Sequence, residues 1–164
     1  MDRGVDETHP PTTLDSAVDT LHFAYGSNMD ARQMSLRCPR SRMIGTALLP
    51  GWRFRINAQG WATVVPERGA LVHGRIWALS IEDEAHLDAY EDVASGLYTK
   101  DWLPVITTDG TTPEVMIYLA TDSQPGSPLR RYLEPILHAA ADAGFPPGYL
   151  QELGRWMPSV SGVE

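Results

Sequence analysis

A series of short β-type segments in the middle of the chain limits the possible folds more than any other feature. Four segments rich in β-branched and aromatic residues follow one another: RMIGTALLP (42–50), WRFRIN (52–57), WATVVPE (61–67) and ALVHGRIWAL (70–79). The residue pairs that separate them are typical of turns, namely Pro50-Gly51, Gln59-Gly60 and Arg68-Gly69. Four strands joined by such short turns predict an antiparallel sheet that curls toward a barrel.

Helices and further strands are predicted on both sides of this region. Strands are expected at 21–25, 98–108 and 113–120, and helices at 29–37, 80–93, 129–143 and 148–156. Ser80 and Asp83 form a capping-box-like helix start, whereas Pro135 should kink the 129–143 helix and Gly144 should end it. The predicted fold class is α+β, with a twisted sheet or small mixed β-barrel of about six or seven strands and flanking helices.

Length and composition indicate one folded domain with a terminal extension. The chain has 164 residues, enough for a single domain with a hydrophobic core. Residues 1–20 are polar and rich in Pro, Thr and Asp, which predicts a flexible acidic N-terminal arm. The folded domain is predicted over residues 21–158.

Charge and cysteine content exclude several functional classes. The net charge is -8 and the sequence pI is about 5.0, which argues against a nucleic-acid partner or an anionic membrane surface. Cys38 is the single cysteine, so neither an intrachain disulfide nor a cysteine metal cluster is possible. No signal peptide and no apolar run of about 18 residues is found, and a cytoplasmic location is therefore expected. The pattern gives no indication of oligomeric state.

The stretch YGSN (25–28) ends the first predicted strand on small polar residues. A strand that enters a helix through such a loop leaves backbone N–H groups free at the helix N-terminus, where a carboxylate or phosphate can bind. Ser27 or Asn28 could cap that helix. An ordinary turn with an N-cap explains the same residues without a ligand, and the local pattern alone favours this simpler interpretation.

Glu91 is the second candidate. On a continuous helix it shares a face with Leu87 and lies beside Tyr90, at the edge of an apolar stripe, whereas residues 82–84 lie in the exposed first turn. A carboxylate that is partly withdrawn from water has a raised pKa and can act as a general base near neutral pH. A solvated glutamate near a helix end remains the alternative.

Other polar residues suggest no chemistry. The five histidines lack metal-ligand spacing, so no metal site is predicted. Cys38 is expected to be a packing residue, and Arg130-Arg131 and the acidic residues 82–84 are expected to be solvated helix charges.

Three motifs together resemble the γ-glutamylcyclotransferase (AIG2-like) family. They are FAYGSNM (23–29), LDAYEDVASGLY (87–98) and the segment GSPLRRYLEPILHAAADAGFPPGYLQEL (126–153). The strand segment 69–79 is also similar to one that precedes the glutamate helix in that family. The resemblance extends over residues 22 to about 156.

The resemblance implies both an activity and a set of site residues. Members of the family release the γ-glutamyl group of a small-molecule substrate as 5-oxoproline and free the amine, with no metal, organic cofactor or enzymic nucleophile. The resemblance implies that Glu91 is the catalytic base, with Tyr98 lining the same pocket. The substrate-binding residues that it implies are Phe23, Ala24, Tyr25, Gly26, Ser27, Asn28 and Tyr132.

The sequence leaves two alternatives open, one about the leaving group and one about catalysis. The leaving group could be an amino acid, an amine or a γ-glutamyl-protected metabolite, because the middle segment 52–67 is compact and lacks a long loop found in some members. A non-catalytic module that binds γ-glutamyl groups or carboxylates on the same fold is the alternative function. Glu91 argues against such a module, since a pure binder does not need a base.

Overall fold

The computed structural model describes residues 19–159, and within this range the chain forms six strands and four α-helices. The strands are β1 (Thr20–Ala24), β2 (Arg42–Ile56), β3 (Ala62–Leu79), β4 (Tyr98–Pro104), β5 (Ile106–Thr107) and β6 (Glu114–Ala120). The helices are α1 (Ala31–Arg37), α2 (Ile81–Tyr90), α3 (Arg130–Asp142) and α4 (Pro147–Gly154). Apart from its last two residues, the predicted acidic arm over 1–20 lies outside the described range.

The β-rich middle of the chain forms one long hairpin, so the prediction of four short strands was wrong. β2 and β3 pair antiparallel from Arg42↔Ala78 to Ile56↔Ala62, with an irregularity where Pro50↔Leu71 is followed by Trp52↔Pro66. Gly51 and Gly69 lie in this irregularity with φ of +82° and +81°, a conformation that glycine adopts without steric cost. The two glycines therefore accommodate a register shift within the hairpin instead of ending its strands.

The six strands form a single sheet in the order β4-β6-β1-β3-β2-β5. β1 pairs antiparallel with β3 and parallel with β6, which places it among the inner strands. The outer strands β4 and β5 do not pair with each other, so the described sheet is twisted but not closed into a barrel. The α+β class and the sheet with flanking helices are confirmed.

Local signals explain most helix ends. The Ser80 side chain accepts a hydrogen bond from the Asp83 N–H and caps α2, as predicted. The N-cap of α1 is Asp30, which accepts from the Arg32 N–H, so the prediction that Ser27 or Asn28 caps this helix was wrong. α3 continues through Pro135 to Asp142.

A hydrophobic core lies between the sheet and the helices. Fully buried side chains come from β1, the hairpin, β6 and α3, among them Phe23, Phe54, Leu79, Met116 and Ile136. Burial of side chains of this size is worth about 1.5–3 kcal/mol each. Among residues 19–159, no helix is long and apolar enough to cross a membrane.

Candidate active site

The chain leaves β1 at Ala24 and enters a single 3-10 turn over Ser27–Met29. Two backbone hydrogen bonds stabilise this turn, from the Met29 N–H to the Gly26 carbonyl (2.9 Å) and from the Asp30 N–H to the Ser27 carbonyl (3.2 Å). Neither bond uses the N–H groups of Gly26, Ser27 or Asn28. The turn can therefore offer a short series of backbone donors to an anion.

A pocket opens beside this turn. All eight residues proposed for the site from the sequence line it, although they come from β1, the 3-10 turn, the end of α2 and the start of α3. Tyr98 lines it as well. The wall also contains three residues that the sequence did not single out, His22, Ala62 and Tyr118.

Glu91 is the C-cap residue of α2, and its N–H donates to the Leu87 carbonyl at 2.9 Å. Its carboxylate accepts a hydrogen bond of 2.9 Å from Nδ2 of Asn28. Burial raises the pKa of Glu91 to about 7, against the opposing effects of the Asn28 hydrogen bond and the Arg37 charge. A carboxyl group with this pKa can both accept and return a proton near neutral pH.

Arg37, which sequence reasoning missed, fixes the orientation of the Asn28 side chain. Its Nη1 donates to Oδ1 of Asn28 at 2.8 Å and to Oγ of Ser27 at 3.0 Å. Its guanidinium lies 3.6 Å from the centre of the Tyr90 ring, and Nη2 donates to the Tyr90 hydroxyl. Because Oδ1 of Asn28 faces Arg37, the amide N–H₂ of Asn28 faces Glu91.

His22 was also missed as a residue of the pocket. Its Nδ1 lies 3.0 Å from the Met116 carbonyl, and its Nε2 lies 3.5 Å from Nδ2 of Asn28. Burial lowers the pKa of His22 to about 4, so the ring is neutral at pH 7. A neutral ring that donates from Nδ1 to the carbonyl presents Nε2 to the Asn28 amide as an acceptor.

The tyrosines of the pocket differ in what their hydroxyl groups bind. The Tyr25 hydroxyl donates to the Tyr118 carbonyl (2.5 Å), and the Tyr98 hydroxyl donates to the Ala62 carbonyl (2.6 Å). The Tyr132 hydroxyl instead accepts from the Ala62 N–H at 3.0 Å. Burial raises the pKa of Tyr132, which keeps its O–H protonated. That proton is available to a ligand.

The acidic start of α2 differs from the prediction of an exposed first turn. Asp83 is buried, and its carboxylate accepts a hydrogen bond of 2.9 Å from the Arg40 N–H. Glu84 is partly buried and accepts from Nζ of Lys100 at 2.8 Å. These two residues join α2 to its neighbours and do not face the pocket.

Cys38 and the Arg130-Arg131 pair lie in the settings predicted for them. Cys38 is buried, as expected for a packing residue, and Arg130 and Arg131 are exposed. Within the described range, no group of three or more His, Cys, Asp or Glu side chains is placed to hold a metal ion.

A family model and a human protein both match the sequence of this chain. Residues 71–153 match the model of the AIG2-like family. The human protein named gamma-glutamylcyclotransferase is 30% identical over 149 residues, which cover 85% of this chain and 79% of the human one.

Two solved structures superpose on most of this chain. One named gamma-glutamyl cyclotransferase superposes with a TM-score of 0.80 at 26% identity, over 89% of this chain and 92% of its own. YkqA from Bacillus subtilis shares the fold, with a TM-score of 0.73 at 23% identity, over 85% of this chain and 54% of its own. The extent of the human match and the shared fold lead to one conclusion: the chain belongs to the γ-glutamylcyclotransferase (AIG2-like) family.

Proposed function

We propose that this chain is a γ-glutamylcyclotransferase, which converts a γ-glutamyl amide into 5-oxoproline and a free amine. One observation carries the proposal. Glu91, whose pKa is raised to about 7, lies in the same pocket as the backbone donors of the 3-10 turn. Such a pocket can hold a carboxylate at one end while a base removes a proton at the other.

The substrate supplies its own nucleophile. Its α-amine attacks its γ-carbonyl carbon, a C–N bond of the five-membered lactam forms, and the C–N bond to the leaving amine breaks. The enzyme's main task is to hold the glutamyl chain in the bent conformation. Fixing two groups in such a geometry is worth about 7–11 kcal/mol in the best intramolecular cases.

The N–H groups of residues 26–28 are the proposed donors to the substrate α-carboxylate, and the Tyr132 hydroxyl is proposed to donate to the bound glutamyl group. These donors are suited to a carboxylate because they are already oriented by the turn and by the Ala62 hydrogen bond. Phe23, Ala24 and Tyr25 are proposed to form the wall against which the glutamyl chain bends.

Glu91 is proposed to carry the protons. The α-ammonium group loses two protons in becoming the lactam N–H, and the leaving nitrogen gains two in becoming an ammonium ion. Ionised Glu91 takes the first proton, which exposes the lone pair for attack, and then returns it to the leaving nitrogen. The second proton follows the same route, so Glu91 ends each turnover ionised.

Incubation of the protein with γ-glutamyl amino acids and γ-glutamylamines, with 5-oxoproline measured by mass spectrometry, tests the proposal. We expect 5-oxoproline and the free amine in equal amounts from at least one substrate. α-Glutamylalanine is the control, because its amine cannot form a five-membered lactam with the scissile carbonyl. Binding of γ-glutamyl compounds without any 5-oxoproline would instead support the non-catalytic module.

A further inference from the structure

A second compartment, called the outer compartment below, adjoins the proposed active-site pocket, which is called the inner pocket. It shares four wall residues with the inner pocket, namely Ser27, Glu91, Tyr98 and Tyr132. Its other wall residues are Trp61, Tyr90 and Leu97. Glu91 therefore lines both spaces.

The position of Glu91 determines which part of a substrate each space can take. If Glu91 exchanges protons with both nitrogens, the scissile amide must lie beside it. The γ-glutamyl group then occupies the inner pocket with its backbone donors, and the leaving amine extends into the outer compartment. This assignment rests on the proposed function.

The residues specific to the outer compartment are apolar or aromatic. Trp61 is 39% exposed and packs edge-on against Tyr132, with ring centroids 5.1 Å apart. Tyr90 is 51% exposed, and Leu97 is partly buried against the core. Two large rings left in contact with solvent at the mouth of a pocket gain from being covered by an apolar ligand.

No residue that lines the outer compartment carries a positive charge. The Arg37 guanidinium stacks on the Tyr90 ring, but both of its Nη atoms already donate hydrogen bonds within the protein. Nη1 donates to Ser27 and Asn28, and Nη2 donates to Gln33 and to the Tyr90 hydroxyl. The four N–H groups on the Nη atoms thus have acceptors within the protein, and none is left for a carboxylate in the compartment.

We propose that the outer compartment is the subsite for the leaving amine, and that it selects amides of uncharged apolar amines, aromatic ones above all, over amides of α-amino acids. An amino-acid leaving group would place its α-carboxylate beside the Glu91 carboxylate, and Arg37, whose charge acts on Glu91, has no Nη N–H left to donate to it. An unpaired buried charge is costly, whereas an aromatic amine packs on Trp61 and Tyr90 and leaves no charge unpaired.

A matched pair of substrates tests the charge preference. γ-Glutamylphenylalanine and γ-glutamylphenethylamide differ only by the carboxylate on the leaving amine. We expect kcat/KM to be higher for the phenethylamide by about tenfold or more, since one unpaired charge separates the two. Equal values, or a preference for γ-glutamylphenylalanine, would overturn the inference and leave the proposed function intact. If neither compound releases 5-oxoproline while another γ-glutamyl amide does, the inference fails and the proposed function stands; if no γ-glutamyl amide does, the proposed function itself fails.

A second comparison tests the aromatic wall. The wild-type protein should prefer the phenethylamide to γ-glutamylmethylamide by about tenfold in kcat/KM, and Trp61→Ala should reduce that preference to about twofold. Trp102→Ala is the matched control, because Trp102 is also half-exposed but lines neither compartment. An unchanged preference in Trp61→Ala would contradict the assignment of this wall to the leaving amine.

Discussion

The side chain of Glu91 is subject to opposing influences that together set its basicity. Burial raises its pKa, while the Asn28 hydrogen bond and the Arg37 charge lower it, and the result is about 7. A glutamate with an ordinary pKa near 4.5 would be a weak base toward an ammonium group, and a more deeply buried one would be protonated at neutral pH. Asn28 and Arg37 therefore position the carboxylate and also limit its pKa.

The pH dependence of kcat/KM tests this balance. Protonated Glu91 cannot accept a proton, so kcat/KM should fall about tenfold per pH unit below an apparent pKa of about 7. The measurement is 5-oxoproline formation from one γ-glutamyl amide between pH 5 and pH 9. An acidic limb near pH 4.5 would show that Glu91 has an ordinary pKa or is not the base.

His22 and Arg37 show what could not be predicted at the scale of single residues. Glu91 and the YGSN turn were candidates from local pattern, and the resemblance to a known family joined them into one site. His22 and Arg37 act through contacts that exist only after folding, such as Arg37 with Tyr90, which is 53 positions away. His22 is a buried strand residue, and nothing in the sequence around it separates it from a packing histidine.

At the scale of elements, the hairpin β2–β3 determines where β1 and the site lie. Pro-Gly and Arg-Gly pairs usually mark turns, so short strands were predicted. In the structure, however, β2 and β3 are paired both before and after Gly51. The turn at Gln59-Gly60 was predicted correctly: the Gly60 N–H donates to the Asn57 carbonyl there. The long pairing with its register shift could not be predicted because it joins residues up to 36 positions apart, Arg42 and Ala78.

Gly74 of β3 gives a test of the packing beneath the site. A Cβ at this position would lie 2.5 Å from the Phe23 ring and 2.6 Å from the Ala24 carbonyl oxygen. Because that oxygen belongs to the backbone of β1, it cannot move aside easily. We expect Gly74→Ala to lower the free energy of unfolding by about 1–3 kcal/mol, as overpacking does in other cores.

Gly45 of β2 is the matched control, since a Cβ there meets nothing within 4 Å. Urea unfolding of the two variants should place Gly74→Ala clearly below wild type and Gly45→Ala close to it. Equal stability of the two variants would mean that β1 does not pack on β3 as described.

At the scale of the whole molecule, the sheet order brings distant parts of the chain to one pocket. β1 lies between β3 and β6. The turn that follows β1 therefore shares a pocket with residues that are distant in sequence, among them Ala62, Glu91 and Tyr132. The α+β class and most helices and strands could be predicted from local patterns. The open sheet and the two-compartment pocket could not be predicted. Both depend on how the edge strands of the sheet and the helix ends are arranged in three dimensions.

Glu91 is proposed to move the protons of an intramolecular aminolysis. The most direct test is single-turnover formation of 5-oxoproline with enzyme in excess over a γ-glutamyl amide, for wild type, Glu91→Gln and Glu82→Gln. Glu82 is the matched control because it is an exposed glutamate on the same helix. Glu91→Gln should slow the reaction by about 10²–10⁴-fold, the usual contribution of a general base, and Glu82→Gln should react within about twofold of wild type. Formation of 5-oxoproline by Glu91→Gln at the wild-type rate would contradict the claim.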